Sequence, residues 1–166
     1  MIPITVLTIT YNRYQLLQEA VKSFVDQNRP DCEMLIINDQ KQVDYISTIP
    51  NVRIINSKTR FPSILDKLLF GFKNAKHYHV YRLDDDDLIG EDKLHLCQQG
   101  IYANPGYDLY RSQETQFLSS NVYQGLFGSV NNGNIFTKKY VSSLDREEAA
   151  KTQSLSVGED QYMVYG

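Results

Sequence analysis

Residues 81–88 read Tyr-Arg-Leu-Asp-Asp-Asp-Asp-Leu, a short apolar and aromatic run that flows into four consecutive carboxylates, Asp84, Asp85, Asp86 and Asp87. Adjacent negative charges repel one another, and each needs solvation or a partner. A solvated turn is the ordinary place for such a run. Two features argue for something else here. The run follows a strand-like segment rather than sitting in a polar tail, and Leu88-Ile89-Gly90 returns the chain at once to apolar packing. A carboxylate cluster at the C-terminal end of a buried strand stands where open α/β sheets bind ligands. Its hard oxygens suit magnesium or manganese, cations that pair one or two carboxylates with substrate phosphates. An EF-hand loop does not fit, because Leu88 and Ile89 fall where that loop needs an oxygen ligand and a glycine. Metal-plus-phosphate chemistry and a solvated turn therefore both stay open on this stretch alone.

The elements that must position the run can be read from its flanks. Ile4 to Thr10 is β-branched and nearly continuous in apolar character, which suits a central strand covered on both faces. Tyr11-Asn12-Arg13 breaks it. Leu16, Leu17, Ala20, Val21, Phe24 and Val25 then recur at helical spacing, and Pro30 lies beyond the helix end. Met34 to Ile37 is a second buried strand ending at Asn38-Asp39, and Val52 to Ile55 a third. Pro62 is expected to open a helix with Ile64, Leu65, Leu68, Leu69 and Phe72 on one face. His77 to Leu83 is the fourth strand, and Glu91 to Ala103 a helix closed by Asn104-Pro105-Gly106. Repeated βα units predict an α/β fold with a mostly parallel sheet and right-handed crossovers.

The second part reads differently. Tyr107 to Leu118 alternates loosely, as one or two antiparallel strands would. Gly125 to Gly133 is a glycine- and asparagine-rich loop, Asn134 to Phe136 a short strand, and Lys138 to Leu144 a helix. Asp145 to Ser156 is polar loop, and Glu159-Asp160 stands in the first turn of a last helix reaching Tyr165. With no repeat, low-complexity segment or linker, residues 1–166 read as one domain, divided into a part at 1–106 and a shorter part at 107–166.

Composition narrows the function classes. At 166 residues, 42% hydrophobic and 22% charged, the chain can build a sizeable core. A net charge of -3 without a basic stripe gives no electrostatic reason to expect nucleic acid. Cys32 and Cys97 fit no metal spacing and read as free thiols. Ile2 to Ile9 is too short to span a bilayer, and nothing marks secretion, so a cytoplasmic setting with no transmembrane segment is the expectation. His77 and His79 share a strand face without a third ligand nearby and read as packing or surface residues.

Four marks now stand in order: Thr10-Tyr11-Asn12-Arg13, Asn38-Asp39, Asp84 to Asp87, and Glu159-Asp160. Together, at these strand ends, they resemble the inverting family 2 glycosyltransferases of the GT-A fold, a Rossmann-like sheet flanked by helices. The resemblance covers Ile4 to Asp92 well and Gly125 to Tyr165 more loosely. It implies a transferase that moves a sugar from a nucleoside-diphosphate donor, UDP-sugar favoured, to a hydroxyl of a glycan or other acceptor, using Mn2+ or Mg2+. Residues 1–106 become the donor-binding part and 107–166 a shortened acceptor side.

The resemblance also assigns roles. Tyr11 stacks on the base with Thr10 and Arg13 beside it, and Asp39 accepts a hydrogen bond from the base. The family usually reads Asp-Asp-Gly-Ser there, whereas this chain has Asn38-Asp39-Gln40-Lys41, which leaves the base open. Arg60 lies ahead of the second helix, where a cation could meet the diphosphate. Asp84 and Asp86 form the Asp-x-Asp pair, with Asp86 the direct metal ligand, and Asp85 faces the ribose or donor sugar. Asp160 is the catalytic base, with Glu159 in support. The chain stops six residues after Asp160, where family members continue. A compact member, a fragment, a site completed by a partner or oligomer, and a non-catalytic binding module are all compatible with that. A nucleotidyltransferase would want a glycine-rich phosphate loop where Tyr11-Asn12-Arg13 stands.

Overall fold

The computed structural model describes residues 1–110 and 135–139. Their elements run β1 (Ile4–Thr10), α1 (Tyr14–Asp26), β2 (Glu33–Asn38), β3 (Val52–Asn56), α2 (Ile64–Asn74), β4 (His79–Arg82), α3 (Lys93–Ala103), β5 (Leu109–Tyr110) and β6 (Ile135–Thr137). The sheet order is β3-β2-β1-β4-β6-β5. The first four strands in that order pair parallel, while β6 pairs antiparallel with both β4 and β5. The fold is therefore the expected α/β arrangement, a mostly parallel sheet with a small antiparallel element from the second half.

The period-2 geometry of β1 explains the layering. Ile4 and Val6 point to one face and meet Leu17, Ala20 and Phe24 of α1 together with Leu94 and Ile101 of α3. Leu7 points to the other and meets Leu68 and Phe72 of α2. With both faces covered, β1 and β2 bury their whole length apart from Ile9, which is half-buried, and this is why they read as continuous apolar runs. Chain order reverses across β1, which has β2 on one side and β4 on the other. A crevice opens at such a reversal, outside the carboxyl ends of the strands.

Several boundaries differ from expectation for local reasons. Ser63, not Pro62, starts α2: its Oγ accepts from the Asp66 amide at 3.0 Å and donates to the Asp66 carboxylate at 2.8 Å, so Pro62 lies just outside the cap. The buried stripe of α2 is also rotated. Ile64 is exposed, and the buried set is Leu65, Lys67, Leu68, Gly71 and Phe72. Strand β4 begins at His79, because the His77 amide goes to Thr5 Oγ1 (3.1 Å) instead of the ladder. Helix α3 begins at Lys93, after Asp92 at φ 57°.

The strand expected at Asn134–Phe136 appears as β6 at Ile135–Thr137, and within the span 107–118 Leu109 and Tyr110 form β5. Lys138 and Lys139 are helical. The loop at 125–133, the rest of the helix at 138–144, the polar loop at 145–156 and the last helix with Glu159 and Asp160 lie outside the described residues. Cys32 and Cys97 are free, and burial pushes both thiols up to about 11. Among the described residues no helix is long and apolar enough to cross a membrane.

Candidate active site

The carboxyl ends of β1, β2 and β4 lie side by side, and the loops leaving them bring most of the predicted residues together. After β1, Asn12 takes a left-handed φ of 57°, a conformation asparagine tolerates better than most residues. That turn leaves Tyr11 half exposed and sends Arg13 across to the acidic run. Arg13 Nη1 donates to Asp86 Oδ2 at 2.8 Å and to Asp85 Oδ1 at 3.2 Å. Thr10 is buried, and its Oγ1 meets no hydrogen-bond partner among the described residues.

After β2, Asp39 is 2% exposed. Its Oδ1 accepts from Lys67 Nζ at 2.6 Å and its Oδ2 from the Phe61 amide at 3.1 Å. Burial alone would raise this carboxyl. The Lys67 and Phe61 bonds, with Lys67 and Arg60 as nearby cations, outweigh burial and hold it below the ordinary carboxylate range. Lys67 also donates to the Thr10 carbonyl at 2.6 Å, so it closes the ends of two strands at once. Arg60 lies 3.7 Å from Asp39 Oδ1, and its guanidinium carbon stands 3.5 Å from the centre of the Tyr11 ring, a cation–π stack.

After β4, the four carboxylates diverge in environment. Asp84 is held by the buried Arg82 at 3.0 Å, and the Asp87 amide donates to the Asp84 carbonyl at 3.2 Å to close a turn. Asp85 is buried and Asp86 exposed. Partial burial, then the charges of Asp84 and Asp86, push the Asp87 carboxyl upward. A cleft of about 460 Å³ is lined by Asn12, Tyr14, Gln40, Val43, Asp44, Tyr45 and Ile46, from the loops that follow β1 and β2 and the start of α1. The Gln40 amide is pinned there between Asn12 Oδ1 (3.2 Å) and the Tyr45 hydroxyl (3.1 Å). A second, apolar groove of about 390 Å³ runs between α1 and residues 45–54, and neither cavity is lined by the acidic run.

Thr10, Tyr11, Arg13, Asp39, Arg60, Asp84, Asp85 and Asp86 thus share one edge of the sheet, whereas Glu159 and Asp160 lie outside the described residues. No group of three His, Cys, Asp or Glu side chains is arranged to hold a metal among the described residues. Asp84 and Asp86 still present hard carboxylate oxygens at the end of β4, Asp86 exposed and Asp84 half-buried. That set fits a magnesium- or manganese-type cation whose remaining ligands come from a diphosphate. Sequence reasoning missed Lys67, Arg82 and Gln40. Lys67 left no signal of its own, because the apolar positions of its helix read as a stripe that excludes it.

The family model for glycosyl transferase family 2 matches residues 5–145. The chain belongs to that family. An uncharacterised glycosyltransferase of Rickettsia conorii is 29% identical over 146 residues, 80% of this chain and 23% of the relative. A second, from Rickettsia felis, is 27% identical over the same shares. The chain therefore spans about a quarter of the length of the curated relatives it matches. Among solved structures, S. aureus TarS in complex with UDP-GlcNAc superposes with a TM-score of 0.65 at 17% identity, over 85% of this chain and 47% of that one. A Pyrobaculum calidifontis mannosyltransferase in complex with GDP-Man and Mn2+ gives a TM-score of 0.52 at 18% identity, over 64% and 34%. At these identities the likeness establishes a shared fold.

Proposed function

We propose that this family 2 domain transfers a sugar from a nucleoside-diphosphate donor, UDP-sugar favoured, to a hydroxyl of a glycan or other acceptor, with inversion. The observation that carries the reading is the convergence of three features at the reversal point of the sheet: the acidic run, the buried Asp39–Lys67 pair and the Tyr11–Arg60 stack. Tyr11 and Asp39 meet the base, Thr10 adds its unused hydroxyl, and Arg60 serves the diphosphate side. Asp84 and Asp86 would hold Mn2+ or Mg2+, which supplies neutralisation of the charge on the leaving diphosphate. Asp85, buried beside Arg13, faces the ribose or donor sugar.

Inversion needs one in-line displacement. The acceptor oxygen bonds to the anomeric carbon as the bond to the diphosphate breaks, and a carboxylate takes the acceptor proton. Asp160 holds that role, with Glu159 in support, and acceptor recognition belongs to residues 107–166, alone or with a partner.

The test is calorimetric titration of UDP, GDP and dTDP, with and without Mn2+, into the wild type and Asp86→Ala. One nucleotide should bind in a Mn2+-dependent way, and the variant should lose it. Binding of none of them would sink the reading. Asp160→Asn should retain donor binding and lose transfer, whereas a non-catalytic binding module would show no transfer in the wild type either.

A further inference from the structure

Arg13 stands where the proposed cation has to arrive. Both of its bonds to the acidic run come from a single nitrogen, Nη1, to Asp85 Oδ1 and Asp86 Oδ2. Its Nε and Nη2 donors meet no partner among the described residues. The guanidinium is thus used as a point charge, and the planar fork that suits diphosphate oxygens is left idle. Its hold is also the weaker of two. Asp84 is paired with Arg82, whose side chain is 8% exposed, whereas the Arg13 side chain is 52% exposed and its Asp86 partner 47%. Exposed pairs of this kind are screened and exchange readily. Arg13 occupies the N-cap position of α1, where its carbonyl accepts from the Leu17 amide at 2.9 Å but its side chain makes no cap, so the guanidinium is not held by the helix start.

We infer that Arg13 is a displaceable counter-cation: it neutralises Asp85 and Asp86 before the donor arrives, then yields Asp86 and takes the donor diphosphate with its idle N–H groups. This rests on the reading of the acidic run as the donor-diphosphate site. A divalent cation and Arg13 compete for the same Asp86 oxygen, and their like charges repel. Free cation is therefore disfavoured, while cation and diphosphate favour one another, because the diphosphate gives Arg13 a new partner. Such coupling is reciprocal between the two ligands. It would keep the acidic run from trapping bare cations between turnovers.

The experiment measures free Mn2+ by electron paramagnetic resonance in titrations of the wild type, Arg13→Gln, Arg13→Lys and Asp86→Asn, each without nucleotide and with UDP or GDP. Without nucleotide, Arg13→Gln should bind Mn2+ about fivefold more tightly than the wild type, the size expected for one exposed ion pair. Arg13→Lys, which keeps the charge, should stay near the wild type, and Asp86→Asn should lose binding. With nucleotide, Arg13→Gln should fall about tenfold below the wild type, the loss of charge-assisted bonds to phosphate. Mn2+ binding that is lost in Asp86→Asn but no tighter in Arg13→Gln would overturn the counter-cation and leave the donor reading standing. Equal nucleotide affinity in Arg13→Gln and the wild type would overturn the exchange. Mn2+ binding indifferent to Asp86→Asn, or absent from every protein, would overturn the donor reading and the inference with it.

Discussion

The ammonium of Lys67 lies 2.6 Å from Asp39 Oδ1 and 2.6 Å from the carbonyl oxygen of Thr10, so one buried cation from α2 ties together the ends of β1 and β2. Both side chains are almost fully enclosed, at 7% and 3% exposure. Burial pulls the Lys67 ammonium below its ordinary range despite the Asp39 charge beside it. A pair of this kind stabilises little in itself, but removing one partner strands the other charge. Lys67→Met is therefore expected to cost about 3 kcal/mol or more, with Arg60 compensating only in part because it is half exposed and 3.7 Å away. The double variant Lys67→Met with Asp39→Asn should recover much of that. Urea denaturation at constant slope measures it, and a loss below about 1 kcal/mol for the single variant would refute the account.

How much of this was legible follows from the same residues. Strands β1 and β2 were readable because burial on both faces forces continuous apolar runs, and the acidic run was readable because its charge density has no packing use. Lys67 was not, because a lysine beside a leucine stripe looks solvated until Asp39 and Thr10 supply its partners from distant strands. The same holds for Arg82, whose position next to Asp84 says nothing of its burial. The rotation of α2 that turns Ile64 outward was also hidden, since Ile64 and Lys67 differ by less than a turn.

Tyr11 and Arg60 make a separable prediction. Tyr11 is 46% exposed and its ring packs against a side chain that is itself half exposed, so little folding energy depends on it. Tyr11→Ala should leave the melting temperature nearly unchanged and weaken nucleoside-diphosphate binding by about tenfold, the scale of an aromatic stack. A large drop in melting temperature, with affinity retained, would make Tyr11 a packing residue instead. Arg60→Ala should act in the same direction, and more strongly at low salt, because it also removes a cation from Asp39.

His79 gives the pH dependence. Burial lowers its imidazole below the ordinary value of 6.5, against the ring edges of Tyr78 and Tyr110. The unfolded chain then binds the proton more readily than the folded one as pH falls through 6.5. Stability contributed by the neutral ring is complete above pH 6.5 and declines below it until the lower folded-state value is passed. The slope is at most about 1.4 kcal/mol per pH unit for one group. His79→Phe, which keeps an aromatic ring between the two tyrosines, should flatten that part of the curve. His77, also lowered chiefly by burial, should keep its own share. An unchanged curve in His79→Phe between pH 5 and 7, followed by chemical denaturation, would refute the assignment.

Gly71 decides how closely α2 approaches the sheet. A Cβ at this position would lie 2.5 Å and 2.9 Å from the two terminal methyl carbons of Leu7, a residue with no exposed surface in the middle of β1. Two effects oppose each other in Gly71→Ala. Alanine is better than glycine inside a helix by about 1 kcal/mol. Overpacking a filled core costs about 1–3 kcal/mol, and Leu7 is hemmed in by Leu35, Leu68 and Val80 in the same cluster. The clash should win, for a net loss of about 1 kcal/mol. Because α2 also carries Lys67, the displacement should reach the Asp39 contact. A shorter neighbour relieves the conflict, so in a Leu7→Val background Gly71→Ala should be neutral or stabilising. That non-additivity, read from denaturation midpoints of the four proteins in the cycle, is the signature of direct contact between the two positions. Additive effects would mean that α2 shifts freely on the sheet and that Gly71 does not set its distance.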